Sequence, residues 1–348
     1  SKSLGNGLDP LELVDEFGSD AMKFTLAFLC AQGQDLLVDR ESFRVGSRFA
    51  NKVWNASRYI LMNLAGCTFV SGAGLNGADR WIYSRLNRAA RVTSEALEGY
   101  RYNEAAQAVY EFFWNDFCDW YVEAAKISIR AGGEERDRAV SVLLRLLEEA
   151  LRLLHPLLPM VTEEIYAKLP AEARGGEGLL ITAPYPRFRE ERVCEDAEED
   201  FALLQELVRG VRALRAECGI APEKRLRCFV RALDAPRDAF LAAQAPLLSA
   251  LAGVEAGDAG GAGGIGLTGK GFEAYLYVGD AVDIPALKAK FRREIDKDSA
   301  YAAGLEAKLA NAAFLAKAPA ALVAAEQEKL AAARGRAARL EGYVGAMG

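Results

Sequence analysis

Phe49-Ala50-Asn51-Lys52-Val53-Trp54-Asn55-Ala56-Ser57-Arg58-Tyr59-Ile60 is the stretch on which the reading of the fold turns. It lies within a predicted helix over residues 41–65, where Phe49, Val53, Ala56 and Ile60 recur at helical spacing and define a buried stripe. Asn51, Asn55 and Arg58 fall on the opposite side. Along one flank Arg48, Lys52 and Tyr59 line up, two cations beside an aromatic ring. Cations meet phosphates and an aromatic face stacks an unpaired base, so such a flank suits RNA. An ordinary amphipathic helix with a solvated basic flank has the same spacing, and both readings stay open.

Outward toward the C-terminus the helical period continues. After a glycine-bearing loop at 66–78, Asp79 is placed to cap a helix over Arg80–Glu98. The helix Asn103–Arg130 carries Val109, Phe113, Phe117, Trp120, Ala124 and Ile127 on one stripe, an aromatic seam that reads as core. Glu134–Leu154 buries Val140, Leu144, Leu147, Leu151 and Leu154 and stops at His155-Pro156; Pro159 restarts a helix that runs to Leu169. The pattern predicts an up-and-down helical bundle. His155, the sole histidine, has no Ser, Cys or metal-ligand partner nearby in sequence and is expected to be satisfied by a backbone carbonyl at a helix end.

Toward the N-terminus, Leu11–Phe17 and Ala21–Ala31 are short helices, the first stopped by Gly18 and the second capped by Asp20. Before them, Ser1-Lys2-Ser3-Leu4-Gly5-Asn6-Gly7 places a lysine in a small-residue loop able to close over a polyphosphate, a pattern shared with solvated chain ends.

Beyond the bundle, Gly175-Gly176-Glu177-Gly178 and an acidic run from Glu190 to Asp200 mark a domain boundary. A helix over 201–217 carries Arg209, Arg212 and Arg215 on one face, either a phosphate contact or a solvated face. Strands at Leu226–Ala232 and Phe272–Val278, with a helix from Pro236 to Leu251 between them, predict a small α+β module whose Gly257–Gly271 stretch is a loop. In the last residues, Ile284, Leu287, Phe291, Ile295, Ala302, Leu305 and Leu309 form one apolar seam. Leu322, Val323, Leu330, Ala333, Ala337, Leu340 and Val344 form another, and the two predict an antiparallel coiled-coil hairpin. Its outer positions include Lys288 and Arg292.

A chain of 348 residues, 51% hydrophobic, accommodates two or three cores. The six cysteines are scattered without a Cys-x-x-Cys pair, which predicts free buried thiols, no zinc site and a reduced, cytoplasmic setting. No stretch approaches the ~20 apolar residues of a membrane span. Net charge is −6, yet residues 281–348 hold 11 Lys/Arg against 8 Asp/Glu, a local balance of +3. The hairpin is therefore the positive arm of a negative chain and suits an anionic partner; a dimerising or solvated hairpin is the alternative.

Several of these segments together resemble the valyl-tRNA synthetases, a family of class I aminoacyl-tRNA synthetases. Ser1-Lys2-Ser3 followed by Leu-Gly-Asn is similar to the tail of the Lys-Met-Ser-Lys-Ser signature. Gly33-Gln34-Asp35, Phe49 to Ala56, Phe113-Trp114-Asn115-Asp116-Phe117-Cys118-Asp119-Trp120-Tyr121 and Leu154-His155-Pro156 resemble the same family. So do Val211 to Glu217, Leu309-Ala310-Asn311 and Lys317-Ala318-Pro319. The isoleucyl and leucyl enzymes share the bundle but differ in their C-terminal extensions.

The resemblance implies a mainly α chain in four parts: a signature-loop and stem-contact connector at 1–40, a helical anticodon-binding bundle at 41–190, the small α+β module at 191–280 and a coiled-coil arm at 281–348. It implies valine tRNA, valine and ATP with Mg²⁺ as partners of a larger, monomeric enzyme working through a valyl-adenylate. Lys2 would then stabilise charge developing on the ATP phosphates. Arg48, Lys52, Tyr59, Arg209, Arg212, Arg215, Lys288 and Arg292 would contact tRNA. The nucleotide-binding fold, the His-Ile-Gly-His motif and the editing domain have no counterpart here, so tRNA binding without aminoacylation is expected of this chain alone. The remaining alternatives are a helical scaffold that binds another protein and a free-standing phosphate-handling enzyme built around Lys2.

Overall fold

The computed structural model describes residues 8–31, 33, 38–70, 72, 74–174, 178–258, 264–279, 281–316 and 318–347. The chain divides into two compact units, residues 1–201 and 202–348. The lysine loop with Lys2, together with Gln34, Asp35 and Lys317 of the segments above, lies outside the described residues.

In the first unit, helix α1 (Pro10–Phe17) starts where the Asp9 carboxylate accepts the Leu11 N–H at 2.9 Å, and it ends at Gly18, whose φ of +91° turns the chain. Helix α2 (Ser19–Leu29) already includes Asp20, so Asp20 does not cap it. The buried carboxylate instead accepts the N–H groups of Met160 (3.1 Å) and Val161 (2.7 Å). It thereby caps helix α8 (Pro159–Ala167), 140 residues away in sequence, whose first residue is a proline with no N–H to satisfy. Helix α3 (Arg44–Met62) crosses α2 at backbone distance. A Cβ on Gly46 would sit 2.2 Å from the Ala21 carbonyl oxygen, and the Gly46 N–H donates to Thr25 Oγ1 at 3.1 Å.

Helix α4 (Gly77–Glu98) is capped by Asn76 rather than Asp79. Asp79 is the third helical residue and completes a capping box, while its carboxylate also accepts the Tyr121 hydroxyl at 2.6 Å and pairs with Arg138. The long aromatic helix is α5 (Tyr102–Tyr110), a π-helical stretch Glu111–Tyr121 and α6 (Val122–Ala131). Phe113, Phe117 and Trp120 are core, as the seam requires. The wider π turn rotates everything after it, so Tyr121, Val122 and Ala125 are buried where a straight α-period points to Ala124 and Ile127. Helix α7 (Gly133–Leu154) is buried along most of its length by these neighbours. At its end His155 Nδ1 meets the Thr162 hydroxyl at 2.8 Å, a side chain in place of the expected carbonyl. That hydroxyl donates to the Leu158 carbonyl at 2.8 Å, which makes Nδ1 the donor toward it.

Helix α9 (Glu195–Cys218) begins six residues before the predicted start at 201. Glu195, Asp196 and Glu198 occupy its first turn, where negative charge complements the helix dipole, so the acidic run is helical rather than linker. Within the first unit it contributes Phe201, stacked on Trp81 at 3.8 Å.

The second unit holds a four-stranded sheet of β1 (Leu226–Ala232), β2 (Val254–Ala256), β3 (Gly264–Gly269) and β4 (Phe272–Tyr277) in the order β2-β1-β4-β3. β1 and β2 run parallel, and the other pairs are antiparallel. The expected single helix is two, α10 (Ala235–Ala243) and α11 (Ala245–Ala252), because Pro246 cannot continue the ladder of the preceding turn. Part of the expected Gly257–Gly271 loop is β3. The Tyr277 and Tyr275 rings lie against Gly264 and Gly266, covering a strand that has few side chains of its own. Helices α12 (Ile284–Ala310) and α14 (Ala320–Ala346), joined through α13 (Ala312–Leu315), form the predicted hairpin. Leu287, Phe291, Ala302 and Leu305 pack with Ala333, Ala337, Leu340 and Tyr343; Val344 is only half-buried. One buried residue of the seam is charged: Glu326 sits 3.0 Å from both Lys308 and Lys329.

Candidate nucleic-acid interface

On α3 the helical turn brings Arg48, Lys52 and Tyr59 into one row, as the spacing predicts. Arg48 is exposed. Lys52 Nζ lies 2.7 Å from the Asp119 carboxylate and 5.0 Å from the centre of the Trp114 ring, both on the π-helical stretch. Tyr59 is half-buried, with Lys126 Nζ 5.3 Å from its ring centre and Lys126 in turn 2.5 Å from Glu123. Trp114 and Lys126 therefore belong to this surface and were not legible from spacing, since the π register decides which side chains of that helix reach α3. Cations resting on aromatic faces hold their positions without losing their donors, and half-exposed ion pairs of this kind give up little when a phosphate replaces the carboxylate.

The α9 stripe behaves differently. Arg209 is exposed and already engaged by a neighbour. Arg212 Nε donates to the Leu251 carbonyl at 2.7 Å. Arg215 is buried, and its guanidinium donates to the carbonyls of Gly253 (2.8 Å), Ala221 (2.8 Å), Lys224 (2.8 Å) and Pro222 (3.3 Å). Burial, with Arg225 nearby, lowers its pKa from the ordinary arginine range. Arg215 is thus a fastener of the turn between α9 and β1, and the expected three-arginine phosphate stripe does not exist as one surface.

On the arm, Arg292 is exposed and Lys288 is half-buried with a partner of its own. Several other cations are paired along the hairpin: Arg334 with Glu306 (2.6 Å) and Arg336 with Glu294 (2.7 Å). The cysteines are all free, as the scattered spacing predicts. Burial pushes the Cys118 and Cys228 thiols up to about 12 and those of Cys67 and Cys218 to about 11, which removes them from thiolate chemistry. Among the described residues no group of three or more His, Cys, Asp or Glu is placed to hold a metal ion. None of their helices is long and apolar enough to cross a membrane.

Comparison with known proteins bears on two stretches of the chain. Residues 79–230 match the family described as the anticodon-binding domain of tRNA ligase, and residues 283–348 match the valyl tRNA synthetase tRNA binding arm. Valine--tRNA ligase of Treponema denticola is 50% identical over 365 residues, covering 100% of this chain and 40% of that protein. That of Treponema pallidum is 45% identical with 100% and 40% covered, and that of Thermotoga maritima is 40% identical with 98% and 39% covered. The chain spans about two fifths of the length of the curated relatives it matches. With an anticodon-binding match, an arm match specific to the valyl type, and such relatives along its whole length, the chain belongs to the valyl-tRNA synthetase family.

Proposed function

We propose that the chain is the tRNA-gripping part of a valine–tRNA ligase. The α3 row takes the anticodon loop: Tyr59 stacks a base, while Arg48 and Lys52 hold phosphates, Lys52 exchanging its exposed partner Asp119 for the RNA. The arm braces the outer part of the tRNA through cations such as Lys288 and Arg292, and Arg209 and Arg212 line the α9 face. In the parent enzyme, valine and ATP with Mg²⁺ form a valyl-adenylate, and Lys2 stabilises the charge growing on the phosphates. We expect a cytoplasmic monomer, and no aminoacylation by this chain alone.

The observation that carries this reading is the α3 row, two cations and a half-exposed ring in line, packed on the Glu111–Tyr121 stretch that falls within the anticodon-binding match at 79–230. Filter binding of valine tRNA and a non-cognate tRNA, from 50 to 200 mM salt, tests it. Preferential and steeply salt-dependent retention of valine tRNA is expected. Salt-insensitive binding with no preference among RNAs would overturn it in favour of a protein-binding scaffold.

A further inference from the structure

A second cationic site is built by α4, α7 and the strap Pro184-Tyr185-Pro186-Arg187-Phe188-Arg189, none of which contributes to the α3 row. The strap is pinned to the bundle. Arg152 donates to the Pro184 carbonyl at 3.1 Å, and the Tyr185 hydroxyl donates to the Leu153 carbonyl at 3.2 Å. The buried Asn87 amide exchanges two hydrogen bonds with the Arg189 backbone, at 2.8 and 2.7 Å. Two prolines further restrict its backbone. Such a strap loses little freedom when it binds something.

A cavity of about 890 Å³ opens along the strap and α4. The Arg91 guanidinium carbon lies over the Phe188 ring, 4.5 Å from its centre. Stacking fixes the plane of the guanidinium and leaves its in-plane N–H donors available. Arg187 and Arg189 add two exposed cations to the same lining. Arg91, Arg187 and Arg189 make no ion pair among the described residues, whereas the neighbouring Arg192 is matched by Glu149 at 2.6 Å and Arg152 by Glu148 at 2.7 Å. Glu95 and Glu98 of α4 also line the cavity. Carboxylates repel a bare anion, but they accept hydrogen bonds from hydroxyl groups, and a ribose 2′-hydroxyl is a donor that accompanies every RNA phosphate.

We propose that this groove binds a segment of RNA backbone, with phosphates held by Arg91, Arg187 and Arg189 and ribose 2′-hydroxyls accepted by Glu95 and Glu98. It takes its partner from the tRNA-binding reading above but uses a different surface. Anisotropy of labelled valine tRNA with the full chain, from 50 to 200 mM salt, tests it. The double variant Arg187→Gln/Arg189→Gln should flatten the log–log salt slope by about 1 for each arginine, at unchanged melting temperature. Phe188→Leu, which keeps every charge but removes the platform under Arg91, should weaken binding severalfold. Glu95→Gln/Glu98→Gln should narrow the preference for RNA over a DNA hairpin of the same sequence. A folded double arginine variant with the wild-type slope overturns the groove. If Arg48→Gln still flattens the slope in that case, the α3 reading stands alone; wild-type chain that retains no tRNA removes both.

Discussion

Arg48, Lys52 and Tyr59 on α3 and Arg209, Arg212 and Arg215 on α9 both recur at helical intervals, and the two rows end up in different surroundings. The α3 cations rest on aromatic rings or reach solvent, while Arg215 is drawn inward to the carbonyls of a tight turn. The difference lies in the chain segment next to each helix. After α9 comes Gly219-Ile220-Ala221-Pro222, a turn whose Ala221 and Pro222 carbonyls face the helix and accept from the Arg215 guanidinium. An arginine within reach supplies several donors at once. Charge periodicity says where a cation is placed around a helix; the carbonyls nearby decide whether it faces a ligand.

The largest test of this contrast is Arg215→Ala. Leaving the Pro222 and Lys224 carbonyls without their donor should lower the unfolding free energy of the second unit by about 3 kcal/mol, read from urea denaturation. tRNA affinity under folding conditions should change less than twofold. A loss of affinity without loss of stability would return Arg215 to the RNA surface. Next is Tyr59→Ala, expected to cost about 1–3 kcal/mol of tRNA binding by filter retention while leaving the urea midpoint in place. If affinity stays within a few tenths of a kcal/mol, the stacking assignment falls.

Asp119→Asn should act in the opposite direction. Freed from its carboxylate, Lys52 should bind phosphate better, tightening tRNA binding about twofold at low salt, since exposed pairs of this kind are worth under about 1 kcal/mol. The smallest effect concerns His155, half-buried and, unlike Arg215, able to shed its proton. Burial lowers its pKa from 6.5, against the pull of Glu163 and Asp20. The unfolded chain therefore binds more protons below pH 6.5, and stability should decline as pH drops through that range. His155→Gln should flatten the decline in urea midpoints measured between pH 7.5 and 5.

Much of the fold was legible because local and tertiary preferences agree. The bundle, the aromatic seam at Phe113 and Phe117 and the hairpin arm all derive from apolar spacing. The features that escaped depend on partners distant in sequence or on departures from the α-period. Asp20 caps a helix 140 residues away. The strand at Gly264–Gly269 exists because tyrosines of β4 cover its glycines. The π-helical stretch displaced the buried stripe from Ala124 to Ala125 and hid the approach of Lys126 to Tyr59. At the proposed RNA surfaces the row on α3 was readable, whereas the pinning of the 184–189 strap was not. Its hydrogen bonds run through Asn87 and Leu153, residues that carry no signal of their own.

Glu326 favours one alignment of the hairpin. Alanine-rich helices present similar small side chains at every turn, so one could slide past the other with little steric penalty. Moving α14 one turn out of step would take the carboxylate away from Lys308 and leave it only Lys329 of its own helix, so a slipped alignment gives up a cross-helix ion pair. An arm aligned this way holds its outer cations at fixed heights from its base, like graduations on a ruler.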